Sequence, residues 1–148
     1  MEEKSKIQSI IAIDWCPDML EMATTFSFRS NVKLVQMDAT NLQYIDNSFD
    51  TVLDTFGLQS SHDYKLQYEE MKRVCKKGGK ILIMELGESY WKHTNYKILK
   101  QAKHELAYRG QLLFLNYDDM ILNDKEVKII KRRRKINGRL FIYVLEKL

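Results

Sequence analysis

The stretch Ile10-Ile11-Ala12-Ile13-Asp14-Trp15-Cys16-Pro17-Asp18-Met19-Leu20 decides how the rest of the chain is read. Four apolar residues run into a carboxylate. A turn follows, and an amphipathic helix begins near Pro17, since proline suits the first turn of a helix. A continuous β-branched run of this kind marks a strand buried on both faces, the habit of parallel sheets in α/β domains. An acid at the carboxyl end of such a strand stands where open α/β sheets bind their ligands. When that strand is second in the chain, the usual partner of its acid is a pair of ribose hydroxyls. The plain alternative is that Asp14 caps the helix that follows.

With 148 residues the chain has room for one domain with a real core, so 1–148 is expected to be a single domain. A hydrophobic share of 45% and a charged share of 30% is an ordinary globular balance. The net charge of +4 is too mild to argue for a nucleic-acid partner. Cys16 and Cys75 are the only cysteines and stand at no metal-ligand spacing, which points to a reducing, intracellular setting. No apolar run approaches the roughly 20 residues of a membrane span. Residues Met1 to Lys6 lack the apolar core of a signal peptide.

In order, the pattern predicts a strand over Ile7 to Asp14 and a helix with Met19, Leu20, Met22 and Ala23 inward. Strands follow over Val32 to Met37 and Phe49 to Asp54. A helix over Tyr64 to Cys75 has Leu66, Met71 and Val74 at helical spacing. Lys76-Lys77-Gly78-Gly79 reads as its end, with cations in the last turn and glycine beyond. Lys80 to Leu86 is a strand, Tyr90 to Tyr108 a long helix, and Tyr117 to Leu122 a short one. Val127 to Ile130 and Leu140 to Leu145 close the chain as an antiparallel pair about Asn137-Gly138. Strands alternating with helices mean an α/β fold with a mostly parallel sheet.

Three segments, in this order and spacing, resemble the class I S-adenosylmethionine-dependent methyltransferases. They are Ile11 to Ala23, then Asp38-Ala39-Thr40-Asn41-Leu42 with Asp46 to Val52, then Met71-Lys72-Arg73-Val74-Cys75-Lys76-Lys77-Gly78-Gly79-Lys80-Ile81-Leu82. Within that family the chain is most similar to the UbiE-like branch, also called methyltransferase type 11. The stretches Asp54-Thr55-Phe56-Gly57-Leu58, Glu85-Leu86-Gly87-Glu88-Ser89 and Ala102-Lys103-His104 with Asn116 to Asp119 look like mitochondrial inner-membrane methyltransferase-like proteins of the Oms type. The resemblance implies a Rossmann-like sheet and S-adenosylmethionine as cofactor. It implies that Asp14 binds the ribose hydroxyls and Trp15 lies against the adenine. Asp38 would accept from the adenine amino group, the N–H of Ala39 would reach a ring nitrogen, and Thr55 and Phe56 would border the methionine end. Without the family, Trp15 reads as a packing residue at a strand end and Phe56 as core.

The family's glycine-rich loop, whose amides approach the methionine carboxylate, is missing upstream of Asp14. In such folds that loop lies roughly 20 residues before the ribose acid, and counting back from Asp14 passes Met1. The family's first strand is missing with it, so the sheet is expected to be truncated at its N-terminal side. That strand lies between the one ending at Asp14 and the one ending at Asp54, and losing it exposes two inner edges. Either those strands pair directly, or another chain covers them, or the sequence is incomplete.

Lys131-Arg132-Arg133-Arg134-Lys135 could meet an acidic partner, RNA or anionic lipid, but a solvated stretch is the plainer account and nucleic acid an unfavoured one. His62, His93 and His104 are scattered, and no metal site is expected. His104 could act as a base and Tyr90 and Trp91 could line an acceptor pocket, although surface and core are the plainer roles. No catalytic residue is assigned. Two functions stand open. One is methyl transfer from S-adenosylmethionine to a small or lipid-like acceptor, impaired in this chain alone. The other is a non-catalytic subunit of a larger assembly, mitochondrial by resemblance.

Overall fold

The computed structural model describes residues 7–28, 31–86, 117–135 and 140–148. The expected helix over Tyr90 to Tyr108, with Trp91, His93 and His104, lies outside them, as does the turn at Asn137-Gly138. The chain divides into two compact units, residues 1–43 and 44–148.

The first unit is a β-α-β element: β1 (Ile10–Asp14), α1 (Pro17–Thr24) and β2 (Val32–Gln36). The strands run parallel from Ile10↔Val32 to Asp14↔Gln36. Burial on both faces is not what β1 shows: Ile10 is exposed and the other four residues are half-buried. The expected apolar face of α1 is likewise open, with Met19 and Met22 about half exposed and no residue of the helix buried. Two short strands and an eight-residue helix are too small to enclose a side chain by themselves.

The second unit holds β3 (Phe49–Thr55), a 3-10 turn (Leu58–Ser60), α2 (Tyr64–Val74), β4 (Cys75–Leu86), α3 (Tyr117–Leu122), β5 (Val127–Lys135) and β6 (Leu140–Lys147). Its sheet has the order β3-β4-β6-β5. β3 and β4 are parallel, whereas β6 runs antiparallel to both β4 and β5, the expected closing hairpin. The core is built from Tyr68 and Met71 of α2, Ile81 and Ile83 of β4, Ile121 of α3, and Tyr143 and Leu145 of β6. Asp63 caps α2, its carboxylate accepting from the Leu66 N–H at 3.0 Å.

Several boundaries differ from the sequence reading, most by one to three residues. α2 stops at Val74, so Lys76 to Gly79 begin β4 rather than end the helix, and the cations in its last turn are Lys72 and Arg73. Cys75 is already extended and fully buried, and the glycine with left-handed φ, Gly78 at +73°, sits in the irregular start of the strand. Leu66, expected inward, is 46% exposed, and Tyr68 takes the buried position two residues on. β5 runs five residues past Ile130, through the basic run, and stays paired with β6 as far as Lys135↔Leu140.

Among the described residues β1 is paired only with β2, and β3 only with β4. Each strand belongs to a different unit and leaves one ladder of N–H and C=O groups unmatched by a described strand.

Candidate cofactor site

Parallel register places the ends of β1 and β2 together. The Met37 N–H donates to the Asp14 carbonyl at 3.1 Å, and Asp38 is the next residue along. Asp14, Trp15, Asp38 and Ala39 therefore gather at the carboxyl end of one two-stranded layer.

Asp14 is not a helix cap. The N-cap position of α1 is Cys16, which makes no side-chain cap. The Cys16 N–H instead donates to Asp14 Oδ1 at 2.8 Å and closes the turn between strand and helix. Among the described residues no partner meets the other oxygen, on a half-buried side chain at the lip of the strand. A carboxylate so held has an acceptor to offer a diol. Trp15 is 73% exposed, so the strand-end packing role fails for it, and a bare indole offers a flat apolar face. Its own carbonyl is fixed by Gln36 Nε2 at 3.1 Å. Asp38 Oδ1 accepts from the N–H and hydroxyl of buried Thr40 at 2.8 and 2.7 Å, which sets the carboxylate at the start of its turn. These residue types fit an adenosine: an acceptor for the sugar, a face for the base and an acceptor near a ring amine.

Thr55 and Phe56 end β3 in the second unit. Thr55 is exposed, and Phe56 is 39% exposed, so it is not the core residue that composition alone suggests. Phe56 has φ of 62°, a left-handed conformation that bulky residues avoid. Its N–H donates to the Met84 carbonyl at 2.9 Å.

Beneath that turn lie two carboxyl groups to which sequence reasoning gave no role. Asp54 is 8% exposed and Glu85 fully buried. Both converge on the Leu58 N–H, at 3.4 and 2.9 Å, and burial, then the neighbouring Asp54 carboxyl, pushes Glu85 up to about 9. Burial also raises Asp54. The available signal was an acid after each of the apolar runs Val52-Leu53 and Ile81 to Met84.

Elsewhere, Arg132 lies over the Tyr143 ring at 5.9 Å and Arg134 over Phe141 at 4.9 Å, so two cations of the basic run rest on the aromatic face of β6. Among the described residues no three His, Cys, Asp or Glu side chains come together as a metal site. No described helix is long and apolar enough to cross a membrane.

A family model for a methyltransferase domain matches residues 2–83. The demethylmenaquinone methyltransferase of Staphylococcus aureus is 40% identical over 80 residues, covering 53% of this chain and 33% of that enzyme. The chain thus matches about a third of the length of such curated relatives. Among solved structures, a methyltransferase complexed with the Haloferax volcanii Trm112 activator aligns with TM-score 0.71 at 14% identity, over 93% of this chain and 71% of that one. An S-adenosylmethionine-dependent methyltransferase from Mesorhizobium loti aligns with TM-score 0.70 at 11% identity, over 95% and 81%. Fold and sequence together define a Rossmann-like α/β domain of the class I methyltransferase kind. The chain belongs to the methyltransferase domain family, whose cofactor is S-adenosylmethionine.

Proposed function

We propose that the chain carries the adenosine half of an S-adenosylmethionine site and belongs to a methyltransferase acting on a small or lipid-like acceptor. Asp14 would receive the ribose hydroxyls and Trp15 would cover the adenine. Asp38 and the Ala39 N–H would read the adenine edge, with Thr55 and Phe56 bordering the methionine end. The sulfonium of the bound cofactor makes its methyl electrophilic, so these residues chiefly bind and align. The observation that carries this reading is the pair of acids at the tips of two parallel, hydrogen-bonded strands.

A second reading has its own support. β1 and β3 each keep an edge without a described partner strand. On this reading the domain is impaired by itself and needs a strand and a glycine loop from another polypeptide or from further sequence. It then serves as a subunit whose partner covers those edges. A mitochondrial assembly rests on the Oms-type likeness alone, and the Staphylococcus aureus relative gives it no support. Residues 1–148 are taken as one methyltransferase-like domain in either case.

Calorimetric titration of the full chain with S-adenosylmethionine separates the two. Micromolar binding that Asp14→Ala abolishes supports the cofactor site and rules out a degenerate subunit. Absence of heat with the folded wild-type chain rejects independent binding and leaves the subunit reading.

A further inference from the structure

Asp54 and Glu85 face each other in a pocket with no described counter-cation. The Gln67 side-chain amide, from α2, donates to Asp54 Oδ1 at 2.9 Å. The N–H groups of Gly57 and Leu58 reach Asp54 Oδ2 at 3.3 and 3.4 Å, and the Leu58 N–H also donates to Glu85 Oε1 at 2.9 Å. From β6, the register partner of Glu85 is Phe141, which is apolar. None of the ion pairs among the described residues involves either acid. The described groups that touch the pair are thus backbone N–H groups and the Gln67 amide, and among the described residues no donor meets the buried Glu85 Oε2.

Two ionised carboxyls in contact inside a protein repel too strongly to stay there unaided. One proton between them removes the repulsion and gives the second Glu85 oxygen its partner. The turn above is close-fitted to the pair. A Cβ on Gly57 would stand 2.3 Å from Asp54 Oδ1. Both N–H groups that follow Phe56 are spent on these carboxyls, which locks the left-handed φ of Phe56 in place.

We propose that Asp54 and Glu85 share a single proton and act together as positioning residues, holding the Thr55 to Leu58 turn so that Phe56 is presented at the end of β3. That Phe56 meets the methionine end of S-adenosylmethionine rests on the function proposed above. Loss of the shared proton to alkaline solvent sets the two carboxylates against each other and opens the turn.

The test uses the full chain grown with 4-fluorophenylalanine, the Phe56 resonance being assigned through Phe56→Leu. From pH 7 to 10 the Phe56 signal of the wild type moves through one inflection near pH 9. It stays flat in Glu85→Gln, whose amide donates to Asp54 at every pH. A wild-type signal without inflection, or one that persists in Glu85→Gln, overturns the proposal. If Glu85→Gln does not fold, carbon-13 carboxyl spectra of the wild type decide: one of the two side chains is still protonated at pH 7, and finding both ionised overturns it. Affinity for S-adenosylhomocysteine drops about tenfold between pH 8 and 10 in the wild type and under twofold in Glu85→Gln. Absence of binding at either pH counts against the cofactor site, while the fluorine and carboxyl spectra still judge the pair.

Discussion

Phe56 stands in a backbone region that costs an L-residue about 1–2 kcal/mol, yet more than a third of it is exposed. A side chain that gains little burial from so strained a position is placed for contact rather than for packing. Phe56→Gly is therefore expected to keep the unfolding free energy within about 1 kcal/mol, since relief of strain offsets the extra freedom of glycine. S-adenosylmethionine affinity should fall in the same variant. Urea unfolding and calorimetry read the two effects separately. Glu85 makes a second prediction. Its folded value, near 9, lies above the ordinary 4.5, so the folded chain holds a proton that the unfolded chain releases. That contribution is complete below about pH 4.5 and is lost as the pH rises toward 9, with a slope of up to ~1.4 kcal/mol per unit. Glu85→Gln should flatten the slope in urea titrations across that range. The strand end at Asp14 was legible in the sequence, because four apolar residues run into a carboxylate. The Asp54–Glu85 contact was not, because nothing local ties two acids that are brought together by strand register.

The edge strand β5 shows how an element can outrun its composition. Alternation ends at Ile130, but pairing with β6 continues through five cations. Backbone hydrogen bonds need no apolar side chain, and the guanidinium groups of Arg132 and Arg134 lie over the Tyr143 and Phe141 rings respectively. Lys131, Arg133 and Lys135 are exposed on this edge, where charge discourages pairing with another sheet. Replacing all three with threonine should leave monomer stability within about 0.5 kcal/mol and promote association, seen as rising light scattering with concentration. α2 is anchored by a different device. Lys72 Nζ meets Glu126 at 2.7 Å and Asp124 and Glu69 at 3.0 Å, with Lys72 and Asp124 almost wholly buried. Burial alone would lower the ammonium, but the three carboxylates outweigh it and raise it. Lys72→Met strips Asp124 of its cation and should cost about 3 kcal/mol in urea unfolding. The helix was visible in its spacing. Its buried lysine was not, because two of the three acids that hold it, Asp124 and Glu126, come from a segment some fifty residues later.

At the scale of the molecule, the strand-helix alternation was enough to read an α/β fold, and Asp14 and Asp38 were legible as acids at strand ends. The division into units 1–43 and 44–148 was not legible, since hydrophobic pattern reports burial and not which strands are partnered. The central claim is that neighbouring strand ends were shaped around adenosine. The most direct test is nitrogen-15 NMR of the full chain titrated with S-adenosylhomocysteine. The account predicts saturable shifts concentrated at the amides of Asp14, Trp15, Asp38 and Ala39, lost in Asp14→Ala. Saturable shifts elsewhere, with those four amides unmoved, would contradict it.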